Sequence, residues 1–202
     1  DDAARPRLLP FTHTRPVADI RCGILTMRER WEQLIGTQTG TLTEAYMQPV
    51  FPLLSGDDNI YINGAVFGTA ALAKAIGNLQ SGQALVGNKI IVAARTNVGN
   101  IDIATFREHV DGLANVEFDG EVLALKNVWD IFSLNDRALR DDFALITNGR
   151  KSAPIPEGVT VTGKENLFIE EGAHIYAGCI INAATGPIYI AKDTEILEGA
   201  IM

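Results

Sequence analysis

The apolar positions follow two rhythms along the chain. Up to about residue 150 they switch between a helical spacing and short strand-like runs. Around Thr26 to Ile35, Leu25, Trp31, Leu34 and Ile35 fall near one side of a helix, with charged residues on the other. Thr69 is placed to cap a second helix running to Leu79, with Ala70, Ala73 and Ile76 on its apolar face. Residues 82–86 and 89–94 read as strands, with Gly87-Asn88 as the tight turn between them. A short helix from Ile103 to Val110 and a strand from Val122 to Leu125 follow. A helix is then predicted from Val128 to Leu139, with Trp129, Ile131, Phe132 and Leu139 as core residues, and a closing strand over 143–147. Elements that interleave in this way predict an α/β layer structure.

The rhythm changes after residues 148–156, a polar stretch containing Pro154 and Pro156 that reads as a domain junction. The expected organisation is one domain over 1–150 and a second over 156–202. In the second, isoleucines fall six apart at Ile169, Ile175 and Ile181, then recur at Ile190 and Ile196, with Gly172, Gly178 and Gly199 between them. Six fits neither an α-helix nor simple two-residue alternation. It fits a chain that turns a corner every six residues and points one aliphatic side chain inward from each short strand. Three such sides make a coil, and stacked coils make a parallel β-helix. The longer step from Ile181 to Ile190 would be absorbed by a corner loop at Gly186-Pro187. The pattern is still running at Met202, so the expectation is a β-helix cut after its first coils, its open end needing further coils or a partner subunit.

Composition narrows the function classes. Seventeen Lys and Arg against twenty-five Asp and Glu give a net charge of −8, which argues against nucleic acid, whose binding draws on a basic surface. A small phosphorylated ligand held by a few local arginines remains compatible with that balance. Cys22 and Cys179 are far apart and share no ligand-like spacing, so reduced thiols are expected. No apolar run approaches the roughly 18 residues that a membrane span requires, and no secretory signal is evident. A cytoplasmic protein without membrane attachment is the expectation.

Within this acidic chain the arginines crowd toward the start, at Arg5, Arg7, Arg15, Arg21, Arg28 and Arg30. Arg15 lies in a polar loop restrained by Pro10 and Pro16 that leads into the Thr26 helix. A loop between a strand and a helix is a favoured ligand position in an open α/β sheet. Guanidinium groups there can clamp phosphoryl oxygens and offset charge that develops during transfer. Arg15 and Arg21 are the candidates for that role, and the competing reading pairs Arg15 with Asp19. Arg7 and His13 are candidate substrate contacts beside them. Asn63-Gly64 interrupts a strand-like run and can bring backbone amides close to a ligand. Lys126 precedes a predicted helix start, a place suited to phosphate. Arg28 and Arg30 are expected on the solvent side of their helix. No metal-ligand spacing and no Gly-rich phosphate loop is present.

The opening run Leu9-Pro10-Phe11-Thr12-His13-Thr14-Arg15-Pro16-Val17-Ala18-Asp19-Ile20-Arg21, continuing to Glu29-Arg30-Trp31, together with Ile169 to Gly178, resembles the bifunctional bacterial enzymes that make UDP-N-acetylglucosamine. The closer resemblance is to a variant branch described as sugar nucleotidyltransferases. That resemblance implies a small nucleotidyltransferase-like α/β domain followed by a left-handed β-helix of hexapeptide repeats. It also implies transfer of a nucleotidyl group from a nucleoside triphosphate to a sugar phosphate with Mg²⁺, and assembly as a homo-oligomer, a trimer, through the β-helix. The full-length protein would have an acyltransferase half using acetyl-CoA, and the alternative function is sugar-phosphate N-acylation with the α/β region as a binding or assembly module. Only Thr14-Arg15-Pro16 retains part of the usual Gly-rich opening, and Asn63-Gly64 stands where a metal-binding acid is usual.

Overall fold

A computed structural model describes residues 1–202. The chain divides into two compact units, Asp1–Asn135 and Asp136–Met202.

The first unit is built on a four-stranded sheet. Its strands are β1 (Asn59–Ile62), β2 (Gln83–Gly87), β3 (Ile90–Thr96) and β4 (Ala114–Glu117), in the order β1-β3-β2-β4. β3 pairs antiparallel with both β1 and β2, whereas β2 and β4 run parallel. The β2–β3 hairpin turns at Asn88-Lys89, both at positive φ, so the turn falls one residue later than the sequence suggested. Helices α1 (Met27–Ile35) and α2 (Ala70–Gly77) form where expected, for reasons visible at their starts. Thr26 and Glu29 make a reciprocal capping box, and Thr69 accepts a hydrogen bond from the Leu72 N–H. Trp31, Leu72, Ile76 and Leu79 pack with Leu85, Val92 and Ala93 in the larger core. Ala84, Ala94 and Val110 form a separate core joined by Phe106. Neighbouring strand residues thus serve two cores, as the two-residue period of a strand requires. Val110 and Phe106 belong to α3 (Ile103–Asp111), capped by Asp102.

Several expectations are corrected in this unit. Residues 122–125 form no strand, only a bridge between Val66 and Ala124, and the fourth strand is β4 instead. The predicted Val128 helix is α4 (Val128–Ser133), followed by α5 (Asn135–Thr147), which absorbs the expected strand at 143–147. Trp129 and Phe132 are exposed, not core. No helix is long and apolar enough to cross a membrane.

The second unit joins most of α5 to six short strands: β5 (Thr160–Thr162), β6 (Leu167–Ile169), β7 (His174–Ile175), β8 (Ile180–Asn182), β9 (Ile188–Ile190) and β10 (Glu195–Ile196). Ile169, Ile175, Ile181 and Ile190 are buried, and Ile196 packs against them half-buried. The strands pair in parallel as β5 with β8, β6 with β9 and β7 with β10. These are three separate two-stranded sheets, and no sheet closes into a barrel or curls into a solenoid. This corrects the expected left-handed parallel β-helix of hexapeptide repeats. A recurrence of six specifies one inward aliphatic position per short strand, but not how many strands join a sheet. Within the unit, Arg150 binds Glu170 at 2.6 Å and lies 5.1 Å over the Phe168 ring, while Tyr189 donates to the same carboxylate and stacks on Phe168.

Candidate functional site

Two neighbouring features of the first unit carry polar groups in a shaped setting. One is the opening loop, residues 9–16, which follows a short 3-10 turn over Arg5–Leu8. Arg5 is buried beneath it. Its Nη1 donates to Asp1 Oδ2 at 2.9 Å and to the Arg15 carbonyl at 3.3 Å. Its Nη2 donates to the Thr12 carbonyl and to the Tyr46 hydroxyl, the latter at 2.8 Å. Tyr46 Oη in turn donates to the His13 carbonyl at 3.0 Å, and the buried Thr12 hydroxyl donates back to the Arg5 carbonyl at 2.9 Å. The main chain of the loop is therefore tied to buried Arg5 at residues 12 and 15 and to Tyr46 at residue 13. Outward, His13, Thr14 and Arg15 are exposed, and the Arg15 guanidinium makes no hydrogen bond or ion pair.

The second feature is a cavity of about 1280 Å³ whose wall includes Asp1, Asp2, Arg28, Asn63, Gly64 and Arg107 above apolar Leu34, Ile62 and Phe106. Asp1 is shared by both features. Its Oδ2 also accepts from Thr43 Oγ1 at 2.6 Å, its Oδ1 from the Val17 N–H at 2.8 Å, and its amine donates to the Leu42 carbonyl. Asn63 Nδ2 donates to Asp2 Oδ2 at 2.9 Å and to the Ile91 carbonyl at 3.1 Å, and its Oδ1 accepts from the Ala65 N–H. Arg28, expected in solvent, turns inward to a two-oxygen ion pair with Asp19 at 2.7 and 3.2 Å and donates to the Thr39 carbonyl. Arg107 donates to the Asp2 carbonyl at 3.2 Å. Burial raises the Tyr61 hydroxyl above its usual range, while hydrogen bonds from Arg95 hold the Asp58 carboxyl below its own.

The residues singled out in the sequence divide between these features. Asn63 and Gly64 line the cavity. His13 and Arg15 lie on the outer side of the pinned loop, and Arg15 does not pair with Asp19, which Arg28 has taken. Arg7 donates through Nε to the Lys126 carbonyl at 3.0 Å, so those two sit together. Arg21 is drawn instead to Glu29 of the α1 capping box at 3.3 Å and to the Ile24 carbonyl. Arg30, also expected in solvent, is buried, donating to the Cys22 carbonyl and lying 4.7 Å over the Phe67 ring. The bonds that Arg5 and Tyr46 make to the loop were not legible in the sequence. Arg5 belongs to the early arginine cluster, but no spacing marks which of the six arginines are buried, and Tyr46 is brought to it from a distant loop.

A sugar nucleotidyl transferase family model matches residues 1–151, three quarters of the chain and all of the unit that holds the loop and the cavity. The chain belongs to the sugar nucleotidyl transferase family. No curated protein matches it. Family membership makes this a transferase of the nucleotidyltransferase type, whose domain handles a nucleotide and a sugar phosphate. Magnesium at phosphoryl-transfer sites is held by one or two carboxylates together with waters and substrate phosphates rather than by an all-protein cage. No three His, Cys, Asp or Glu side chains gather in that way. Asp1 and Asp2, the acids nearest the loop, each spend both oxygens on protein donors. The side chains present do not form an all-protein metal cage.

Proposed function

We propose that the transferase joins a nucleoside triphosphate to a sugar 1-phosphate, with the opening loop receiving the phosphates and the adjoining cavity receiving the organic parts. A phosphate oxygen of the sugar attacks the α-phosphorus. The new P–O bond forms as the α–β bridging bond breaks, and pyrophosphate leaves with the electron pair. Arg15 offsets the negative charge spread over the transferring group, acting as a preorganised donor. Arg7, His13 and Lys126 would add positive or donor groups to the phosphates, and Asn63-Gly64 forms part of the cavity wall. Magnesium enters as the counter-ion of the triphosphate, that is, as part of the substrate. A cavity of about 1280 Å³ exceeds the roughly 300–1,000 Å³ usual for one ligand, which suits a reaction needing two substrates at once.

The observation that carries this reading is a cation left unpaired on a loop whose carbonyls at residues 12, 13 and 15 are tied down, inside the family-matched region. The resemblance of the opening run makes UTP with N-acetylglucosamine 1-phosphate the first pair to assay. Pyrophosphate release is measured across the four nucleoside triphosphates and a panel of sugar phosphates with magnesium. Turnover with one pair, largely abolished in Arg15→Ala at unchanged Tm, is the expected result. An Arg15→Ala protein as active as the parent would overturn the assignment of the loop.

A further inference from the structure

We propose that Arg5 and Tyr46 are positioning residues that set the opening loop in its phosphate-receiving shape, an inference that rests on the reading of Arg15 given above. Arg5 is buried, and its guanidinium spends its donors on main-chain and side-chain oxygens rather than on a ligand. The Tyr46 hydroxyl extends that grip by accepting from Arg5 and donating to the His13 carbonyl. Arg5 draws the carbonyls of Thr12 and Arg15 to the inner side, and Tyr46 holds the His13 carbonyl at the exposed edge of the same network. A peptide carbonyl is the negative end of its dipole, so each one turned inward removes a repulsive group from the face that meets an anion. The same bonds fix the loop before a ligand arrives, so less ordering is left to be done on binding. Neither residue needs to touch substrate to act in this way.

Tyr46 is the cleaner test, because its side chain is mostly exposed and Phe preserves the ring. Tyr46→Phe removes both hydrogen bonds of that hydroxyl and is expected to lower kcat/KM for the triphosphate about tenfold (about 1.4 kcal/mol), with KM rising more than kcat falls. Tm stays within a few degrees of the parent. The deciding measurement is a double-mutant cycle. If Tyr46 works by placing Arg15, the Tyr46→Phe/Arg15→Ala protein is no slower than Arg15→Ala alone. Independent, multiplying losses would overturn the positioning role while leaving Arg15 in place. A Tyr46→Phe enzyme with parental kinetics would overturn it as well. Arg5→Lys gives a second view: a lysine ammonium cannot reproduce the planar fork, so a similar KM increase is expected, and parental kinetics there would also count against the proposal. Full activity of Arg15→Ala, by contrast, would strike the loop reading itself.

Discussion

The opening loop and the Asn63–Gly64 wall of the cavity stand side by side in one unit, and they spend their polar groups in opposite ways. At the wall, the Asn63 amide is committed to Asp2, Ile91 and Ala65, and Gly64 lies so close to Ala18 that there is little space for a side chain. At the loop, the commitments are made by buried Arg5 and by the Tyr46 hydroxyl at the edge, and the exposed Arg15 cation stays uncommitted. Both are well-ordered by hydrogen bonding, but only the loop keeps charge in reserve. Order in the framework and freedom at the tip are what a preorganised anion site needs, so the loop carries the greater chemical weight.

Mutations can break or sharpen that contrast. The largest effect is expected at Arg15→Ala, with turnover down about 10²–10³-fold and thermal stability unchanged, read by pyrophosphate release beside a thermal melt. Gly64→Ala should do the reverse in stability. Its new Cβ would lie 3.0 Å from both the Cβ and the backbone nitrogen of Ala18, and crowding of that kind costs about 1–3 kcal/mol, measurable by urea denaturation. An unfolding midpoint equal to the parent's would mean that the wall yields more easily than its packing implies. Thr26→Ala removes the α1 cap at about 1 kcal/mol, which the same titration detects, and the loss should be similar with or without ligand.

The smallest effect lies in the second unit and concerns acid. The Arg150 hydrogen bond, followed by that of Tyr189, holds the Glu170 carboxyl below its ordinary value of 4.5. A depressed folded-state value means the stabilisation is complete above the ordinary value and is lost as pH falls through the depressed one. Melts of Glu170→Gln and parent should therefore differ at pH 7 and converge in acid. A constant gap down to pH 3 would show that the pair contributes nothing through ionisation. Arg150 is well exposed, so solvent keeps the effect modest.

The sequence announced α1 and α2 because each carries its own start signal, Thr26 with Glu29 and Thr69, in addition to its spacing. The β2–β3 hairpin was legible for a similar reason, since Asn88 tolerates the positive φ of a tight turn. Phe143 to Thr147 misled because a short apolar run looks the same in a strand and in a helix. It continues α5, whose buried positions Ala138 and Asp142 are one helical turn apart. β4 was missed because its residues are mostly exposed and offer no alternating apolar pattern. In the second unit the inward isoleucines were readable, whereas the pairing into isolated two-stranded sheets depends on strand partners that a recurrence cannot name. At the site, Arg15, Asn63 and Gly64 were visible as residue types in suggestive company. Arg5 and Arg28 were not, because a guanidinium turns inward only where distant oxygens meet it, and those oxygens come from residues as far along the chain as Tyr46 and Thr39.

The clasp beneath the loop grips peptide oxygens at residues 12, 13 and 15, atoms that every amino acid possesses. It is therefore indifferent to what the side chains at 13 and 14 happen to be. Those two positions can be exchanged without unfastening the backbone, which leaves them open to natural drift or laboratory evolution as places where the outer face of the loop is retuned while the scaffold is inherited intact.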